Sequence, residues 1–373
     1  MKIVIDARFW RKETGGIGRY SRELVKGLLR LKTDDQFIIL ITPLDKEQFD
    51  LKDQRIKGVV ADIPHYSSAE QFKLPRLLKS FQPDLVHFLN FNQPIFYRGK
   101  RITTIHDLTV KKFPVGGSQT NPLKKWGFNL VMKQAARSNR VIAISRATKV
   151  DIVRDFRIDP ERIKIIYESA DDRFRPRPEV ELADFRERTG LKKPYILFVN
   201  QWRPHKGLPE LVEAFEKLRA DGLDYQLVVA GRPNKHFPEL ERLIVESQVK
   251  ADIVTPGFIP DEDLPLYYSA ASCLAFPSHY EGFGLGVLEG LKSGIPVVAS
   301  KVSSIPEVAG KAAHFVEPKN PVELAAGLKE VLTNDNYAQD LVKKGLEQAK
   351  KFSWDKMAAE TYDLYREVVS EDR

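Results

Sequence analysis

The chain has 373 residues, 42% of them hydrophobic and 29% charged, which is typical of a globular protein with two domains. Its single cysteine, Cys273, excludes a disulfide framework and a cluster of thiolate metal ligands within one chain. Apolar runs stay well short of the ~20 residues of a membrane span, and the sequence enters a strand pattern at residue 3 without a signal peptide. These features predict a cytoplasmic protein.

Positive charge is concentrated in the first half of the chain. Residues 1–180 hold 35 Lys and Arg against 21 Asp and Glu, a balance of +14, whereas residues 181–373 hold 24 against 30. This asymmetry indicates that the first half meets something anionic, such as a phosphate-rich ligand, a membrane surface or a nucleic acid. A solvated basic face without a partner is the alternative.

Short apolar runs alternate with amphipathic segments, a pattern typical of βαβ units around parallel sheets. From Ile17 to Leu31, apolar residues recur at steps of three and four, which predicts a helix with one buried face. The first half contains strand candidates at 3–6, 37–41, 59–63, 85–89, 102–105, 141–144 and 163–166. The second half contains strand candidates at 195–199, 226–230, 253–255, 272–276, 296–299 and 312–316.

Residues 171–178 contain two prolines and no periodicity, and therefore predict a linker between two doubly wound α/β domains. We expect one domain at 1–175 and another at 180–352, with a C-terminal helix at about 353–373 packing back on the first. Open α/β sheets bind ligands beyond the carboxyl ends of their strands, so the expected ligand site is the cleft between the domains.

A glycine-rich turn, Gly-Gly-Ile-Gly-Arg-Tyr at 15–20, opens the first predicted helix. Glycines let the backbone approach a phosphate, and a helix N-terminus offers unpaired N–H groups. A dinucleotide loop, as in a dehydrogenase, is disfavoured because Ser21 stands at the third glycine position and Ile41-Thr42 ends the second strand without a carboxylate for a ribose. A phosphate contact and a structural turn both stay open.

Three polar side chains follow predicted strands. His106 comes after the strand at 102–105, either as a residue of the cleft or as a histidine hydrogen-bonded beside a helix cap. Arg203 and Lys206 come after the strand at 195–199 and precede a helix, where two cations suit a diphosphate. A solvated loop is the alternative for these cations.

The most informative segment is Ser-His-Tyr-Glu-Gly-Phe-Gly-Leu-Gly-Val-Leu-Glu-Gly-Leu at 278–291. Its glycines expose backbone N–H groups to a phosphate, while Glu281 precedes a helix and Glu289 lies about one turn into it. Carboxylates at this spacing could accept hydrogen bonds from hydroxyls at both ends of a nucleotide sugar. Two solvated glutamates would explain Glu289 but not the glycines.

The spacing Glu281-x7-Glu289 within Glu-Gly-Phe-Gly resembles the signature of the retaining glycosyltransferases of family 4, which have the α/β GT-B fold of two Rossmann-like domains. The resemblance covers nearly the whole chain. It includes Gly-Gly-Ile-Gly-Arg-Tyr, His106-Asp107-Leu108, Val-Ile-Ala-Ile-Ser at 141–145, Lys206-Gly207 and Ser-Ile-Pro-Glu-Val at 304–308. The first motif is weak alone, whereas the ordered set is specific.

The resemblance implies an N-terminal acceptor domain, a C-terminal donor domain and a set of site residues. Glu289 would bind the donor ribose, Glu281 would face the transferred sugar, and Lys206 would neutralise the diphosphate. His106 would contact the sugar from the other domain, which makes His106, Glu281 and Lys206 the implied catalytic residues. The other implied donor-binding residues are Gly16, Ile17, Gly18, Arg203, Gly282, Phe283, Gly284 and Leu285.

Two positions depart from the family pattern. Gln201 stands where many members carry Arg five positions before the Lys, which leaves Arg203 as a substitute. Glu168-Ser169 stand where members often read Asn-Gly. Both departures affect expected donor contacts.

The implied reaction is a metal-independent, retaining transfer of a hexose from a nucleotide sugar, with no other cofactor. Our preferred donor is GDP-mannose, and the acceptor is a glycan or lipid-linked glycan of a cell-surface polysaccharide. The acidic run 261–263 suggests a metal site but is typical of a helix start. The alternatives are a UDP-sugar transferase, a nucleotide-sugar epimerase and a non-catalytic nucleic-acid-binding protein. Nucleic acid is not expected, because the chain carries no known recognition motif.

Residues 111–140 combine cations with large apolar side chains. The cations are Lys111, Lys112, Lys124, Lys125, Lys133, Arg137 and Arg140, and the apolar residues are Phe113, Leu123, Trp126, Phe128, Leu130 and Val131. A basic helix with Trp and Phe can lie in an anionic membrane interface. We therefore expect either peripheral binding at the inner face of the plasma membrane or a core helix with a solvated basic face.

Overall fold

The computed structural model describes residues 1–11, 15–114 and 122–371. The chain divides into two compact units, one formed by Met1–Glu168 with Ser353–Arg373 and the other by Ser169–Phe352. The described residues of each unit form one parallel sheet with helices packed against it.

The first unit contains a seven-stranded sheet in the order β3-β2-β1-β4-β5-β6-β7. The strands are β1 (Lys2–Asp6), β2 (Gln36–Ile41), β3 (Ile56–Val60), β4 (Leu85–Phe88), β5 (Arg101–Ile105), β6 (Arg140–Ala143) and β7 (Ile163–Ile165). The helices are α1 (Gly16–Arg30), α2 (Ser68–Ser80), α3 (Thr109–Lys112), α4 (Pro122–Ala136), α5 (Arg146–Phe156) and, at the end of the chain, α14 (Trp354–Ser370). The strand order reverses between β1 and β4, where the following loops diverge and leave room for a ligand.

Burial explains why these segments fold as they do. Ile3, Val4 and Ile5 of β1 are all fully buried, because helices cover a parallel sheet on both faces and its strands need not alternate in polarity. Helix α1 buries one stripe, with Leu24 and Leu28 in the same core as β1.

Helix α14 packs on α1 through a glycine contact. A Cβ atom at Gly27 would collide with the Cβ of Ala358, so the two helices approach closely only because residue 27 has no side chain. Tyr365 of α14 also hydrogen-bonds Nδ1 of His87 in the sheet, at 2.6 Å. His87 is fully buried, as its position inside an apolar strand predicts.

The second unit contains a six-stranded sheet in the order β10-β9-β8-β11-β12-β13. The strands are β8 (Tyr195–Val199), β9 (Gln226–Ala230), β10 (Ile253–Gly257), β11 (Cys273–Phe276), β12 (Val297–Ser300) and β13 (His314–Val316). The helices are α6 (Glu179–Thr189), α7 (Leu208–Ala220), α8 (Pro238–Glu246), α9 (Leu264–Ser269), α10 (Leu285–Ser293), α11 (Ile305–Ala309), α12 (Pro321–Thr333) and α13 (Asp335–Ala349). The order reverses between β8 and β11.

Two sequence predictions need correction. The strand predicted at 59–63 lies at Ile56–Val60, paired with β2, because it is an edge strand whose Lys57 and Gly58 are exposed and interrupt the apolar run. The segment predicted as a linker packs on the second unit, where the buried ring of Phe174 meets Tyr268 edge-on at 5.3 Å. Lys292 also donates to the carbonyl of Ala170 at 2.9 Å.

Candidate active site

Two loops at the carboxyl edge of the second sheet bring Lys206 and Glu281 together. Lys206 ends a short 3-10 turn after β8, and Glu281 follows β11, the neighbouring strand. The Lys206 Nζ donates to Glu281 Oε1 at 2.7 Å, and Ser278 Oγ donates to the same oxygen at 2.7 Å. Both charged side chains are mostly buried, where solvent screens their attraction less than at a surface.

The backbone of Glu281 is fixed by two serines. Its N–H donates to Ser303 Oγ at 2.9 Å, and its carbonyl accepts from the hydroxyls of Ser303 and Ser304 at 2.9 and 3.0 Å. Ser303 has a φ of 46°, a left-handed conformation that costs free energy in a residue other than glycine. Such strain persists where the surroundings impose it, often at functional sites.

Glu289 is positioned by a buried tyrosine. It lies in α10, is only 6% exposed, and its Oε2 accepts a 2.9 Å hydrogen bond from the hydroxyl of Tyr268 in α9. Since the ring of Tyr268 is itself buried, this contact fixes the position of the carboxylate.

Two glycines make the loop geometry possible. Gly284 has a φ of 101° and caps the N-terminus of α10. Gly207, with a φ of 77°, lies between Lys206 and α7, and a Cβ atom there would collide with the carbonyl of Pro277. The loop after β8 therefore reaches the loop after β11 only with glycine at position 207.

Three side chains in the loop between β8 and Lys206 carry buried hydrogen-bond donors. The side-chain nitrogens Asn200 Nδ2, Trp202 Nε1 and Arg203 Nε are buried and donate to no atom of the described residues. Between these residues and Lys206 lies His205, whose pKa falls to about 3 through burial and the charges of its neighbours. Several donors, a lysine and the start of α7 at one strand end fit an anionic ligand.

In the first unit, Gly15 caps the N-terminus of α1 with a φ of 67° and, as a glycine, offers this helix end no side-chain hydrogen bond. Gly16, Ile17 and Gly18 supply the first N–H groups of α1, which have no acceptor within their own helix. This terminus can therefore receive an anion.

Both ring nitrogens of His106 are hydrogen-bonded. Its Nε2 donates to the carbonyl of Leu89 at 2.9 Å, and its Nδ1 lies 3.0 Å from Oε1 of buried Glu168. Burial opposes charging, but the hydrogen bond and charge of Glu168 outweigh it and raise the pKa of His106 above its ordinary value. The arrangement suits an imidazolium, with two N–H donors.

The hydrogen-bond partners of the candidate residues could not be read from the sequence. Glu168 was noted only as a family departure, although it follows β7 closely and the rule that singled out His106 also applies to it. Tyr268 and Ser278 gave no local signal, because their roles depend on contacts made by the folded chain.

The residues predicted to bind a membrane differ in their ion pairing and exposure. Lys111, Lys112 and Arg140 form ion pairs with acidic residues, whereas no ion pair within the described part of the chain engages Lys125, Lys133 or Arg137. Trp126 is 68% and Leu130 is 37% exposed, one turn apart on α4. The side chains of Leu123 and Lys124 lie outside the described residues.

None of the helices in the described part of the chain has the length and apolar character that crossing a membrane requires. Among the same residues, no three or more His, Cys, Asp or Glu side chains are grouped so that they could hold a metal ion.

The architecture is that of the GT-B glycosyltransferases, which confirms the fold expected from the sequence. A sucrose-phosphate synthase from Thermosynechococcus elongatus matches over 100% of both chains, with a TM-score of 0.79 and 20% identity. HepE of Anabaena, solved in complex with UDP and glucose, matches over 98% of this chain and 99% of its own, with a TM-score of 0.78 and 17% identity.

Family models match most of the chain, Glycosyltransferase Family 4 at residues 14–174 and Glycosyl transferases group 1 at 180–348. O-antigen chain mannosyltransferase B of Escherichia coli is 28% identical over 98% of this chain and 100% of its own. MMP alpha-(1->4)-mannosyltransferase of Mycolicibacterium hassiacum is 30% identical over 66% of this chain and 59% of its own. The chain belongs to the family 4 glycosyltransferases and is an enzyme of the hexosyltransferase type.

Proposed function

We propose that this enzyme transfers mannose from GDP-mannose to a glycan or lipid-linked glycan during assembly of a cell-surface polysaccharide, with retention of configuration and without a metal. The observation that carries the proposal is the loop after β8, in which Lys206 follows the unused donors of Asn200 and Arg203 and precedes the start of α7, a combination that suits a diphosphate. The mannosyltransferases among its relatives support the choice of sugar.

In this proposal the second unit holds the donor. Glu289 accepts hydrogen bonds from the ribose hydroxyls, and Glu281 faces the mannose. Lys206, Arg203 and the backbone N–H groups of 282–285 stabilise the diphosphate. The pairing of Lys206 with Glu281 supports this division of roles, because one lysine can then contact both the phosphate and the carboxylate that faces the sugar.

The reaction breaks the bond between the anomeric carbon and the phosphate oxygen. Positive charge develops on the sugar and negative charge on the departing GDP, which preorganised cations and N–H dipoles stabilise. The acceptor hydroxyl oxygen bonds to the anomeric carbon on the face that the phosphate leaves, and its proton passes to an oxygen of the departing phosphate. This path retains configuration and needs no carboxylate nucleophile.

The first unit, in the same proposal, receives the acceptor. His106 contacts the transferred sugar, and Gly16, Ile17 and Gly18 contact phosphate at the start of α1. The exposed Trp126 and Leu130 and the neighbouring cations of α4 hold the enzyme at the cytoplasmic face of an anionic membrane.

The test is a thermal-shift screen with GDP, UDP, dTDP and ADP. A ligand at about 100 times its Kd adds about 2.7 kcal/mol, so GDP should raise the Tm by several degrees. Lys206→Ala should abolish most of this shift, whereas Lys235→Ala, which removes an exposed lysine of the same unit, should not. A shift with UDP alone would replace the donor, and no shift with any nucleotide would contradict the donor site.

A further inference from the structure

A row of aromatic side chains lies at the carboxyl edge of the first sheet. Phe9 stacks on His65 with ring centroids 4.0 Å apart and planes 11° from parallel. Tyr66 follows at 6.4 Å from His65, Phe91 at 6.2 Å from Tyr66, and Phe128 of α4 at 5.2 Å from Phe91. We call these five residues the aromatic row.

The aromatic row lies where a parallel sheet offers room for a ligand. Phe9 follows β1 and Phe91 follows β4, the two strands between which the strand order reverses. His65 and Tyr66 follow β3 at the same edge of the sheet. Ligands of open α/β sheets bind at this kind of reversal. None of the five residues belongs to the proposed donor site.

Tyr66 is held in an unusual conformation. Its side chain is 65% exposed, and its φ of 58° is uncommon for a residue other than glycine. Its backbone N–H donates to Oε2 of buried Glu70 at 3.0 Å, which fixes the turn. An exposed aromatic ring on an over-determined backbone is typical of a ligand contact.

A buried amide adds a polar group to the row. Asn92 is 3% exposed, and its Nδ2 lies 2.9 Å from His65 Nδ1 and donates to Glu70 Oε1 at 3.2 Å. Its Oδ1 is buried and accepts no hydrogen bond from the described residues. A buried acceptor without a donor is rare, and a hydroxyl of a bound ligand would satisfy it.

A buried group of three charged side chains next to the aromatic row favours a neutral ligand. The guanidinium of Arg8 donates to Asp6 at 2.7 Å and to Glu70 at 2.8 Å, and all three side chains are buried. One cation between two carboxylates leaves this buried group with a net negative charge, which disfavours an anionic sugar or a phosphate placed directly against it. Aromatic faces pack against the apolar C–H face of a sugar ring, and a few polar groups then orient its hydroxyls.

We propose that Tyr66, as the exposed stacking platform of the aromatic row, binds neutral sugar residues of an extended glycan together with Asn92, while Phe91, only 8% exposed, supports the row from the core. That this glycan is the acceptor rests on the proposed function; that the site takes neutral oligosaccharides does not. The site thus recognises more of the glycan than the terminal sugar that receives the mannose.

Binding can be measured by saturation-transfer NMR and calorimetry with linear α-mannooligosaccharides of one to four sugars and with trigalacturonic acid as an anionic probe of similar length. Affinity should rise at least tenfold from one sugar to three, and trigalacturonic acid should bind more weakly than mannotriose. Tyr66→Ala should lower the affinity for mannotriose at least tenfold, while Tyr66→Phe, which keeps the ring, should stay within about threefold of the wild type. Phe96→Ala, which removes another exposed aromatic ring of the same unit, should not change the affinity.

The thermal shift with GDP, measured on the same sample, distinguishes a failure of the glycan site from a failure of the donor site. Oligosaccharide binding that depends on Tyr66 supports the inference even if GDP causes no shift. Mannotriose binding that is absent, independent of length or unaffected by Tyr66→Ala would overturn it, and a normal GDP shift in the same sample would leave the donor proposal intact. Preference for trigalacturonic acid would also overturn the choice of a neutral glycan.

Discussion

Glu281 and Glu289 lie in one motif but differ in their surroundings. One carboxylate oxygen of Glu281 accepts hydrogen bonds from both Lys206 and Ser278, so the carboxylate is paired with a cation of the neighbouring loop. Glu289 is buried on a helix and bonded to the hydroxyl of Tyr268. The first arrangement suits a group that responds to charge development in the reaction, whereas the second suits a fixed acceptor for substrate hydroxyls.

These differences predict that the two substitutions affect different steps, donor binding for Glu289 and turnover for Glu281. Glu289→Ala removes a charged acceptor worth about 1.5–3 kcal/mol and should weaken GDP binding about tenfold to a hundredfold. Glu281→Ala should lower kcat more than it raises the Kd of the donor. Calorimetry with GDP and steady-state rates would measure both. Wild-type values for both variants, or the reverse assignment of effects, would contradict the site.

The ion pair of His106 and Glu168 predicts a pH-dependent stability. The pKa of His106 is raised in the folded state, so its contribution is fully present below the ordinary pKa of about 6.5 and is lost as the pH rises through the raised value. Glu168→Gln should therefore lower the Tm at pH 6, by the equivalent of about 1–3 kcal/mol, and less at pH 9. Glu161→Gln, at an exposed position, is the control. Calorimetry that finds an equal loss at both pH values would contradict the pair.

At the scale of elements, glycines set how closely helices and loops approach. Gly27 of α1 faces Ala358 of α14 without room for a methyl group, whereas no described atom lies within 4 Å of a Cβ at Gly127 of α4. The two positions therefore provide a matched pair, because both are glycines inside helices.

Gly27→Ala should destabilise the first unit, because an overpacking cost of about 1–3 kcal/mol exceeds the gain in helix propensity of about 1 kcal/mol. Gly127→Ala should leave the Tm unchanged or raise it, since only the propensity gain applies. Thermal unfolding followed by calorimetry measures both variants. Equal effects of the two substitutions would contradict the close packing of α1 and α14.

Strands buried on both faces could be predicted more accurately than the edge strand. The apolar run at 195–199 coincides with β8, because a strand covered on both faces shows a continuous apolar signal. The edge strand β3 was displaced by three residues, since its exposed side chains weaken that signal. The order of strands and helices along the chain predicted two doubly wound α/β domains, and the family resemblance carried by the motifs implied the GT-B fold.

Local spacing could likewise indicate Glu281 and Glu289, which share one loop and helix. It could not indicate the pairing of His106 with Glu168, residues 62 positions apart. Such a contact arises only when separate strands bring their following loops to one edge of the sheet.

At the scale of the whole molecule, the excess of positive charge in the first half has a structural counterpart. Several of its cations are neutralised by ion pairs, such as Lys111 with Asp155, whereas Lys125 and Lys133 lie on α4, the helix that carries the exposed Trp126. Anionic lipid adds about 1 kcal/mol per cation near its surface, and an inserted tryptophan adds apolar burial.

Flotation with vesicles of phosphatidylcholine and phosphatidylglycerol tests this surface. The enzyme should float at low salt and be released at high salt, because the charge attraction is screened. A Trp126→Ser and Leu130→Ser double variant should bind weakly, whereas Val150→Ser, which changes an exposed apolar residue of α5, should bind as the wild type. Absence of flotation at low salt, or equal binding of all variants, would contradict membrane association through α4.

The proposed reaction is a metal-independent transfer of mannose with retention. The direct measurement uses GDP-mannose labelled with carbon-13 at its anomeric carbon, a mannose-ended oligosaccharide as the acceptor, and EDTA, with the product followed by NMR. GDP-mannose carries an α-linked sugar, so we expect a new α-mannoside formed at the same rate with and without EDTA. A β-linked product, loss of activity in EDTA, or turnover of a UDP-sugar in place of GDP-mannose would contradict it.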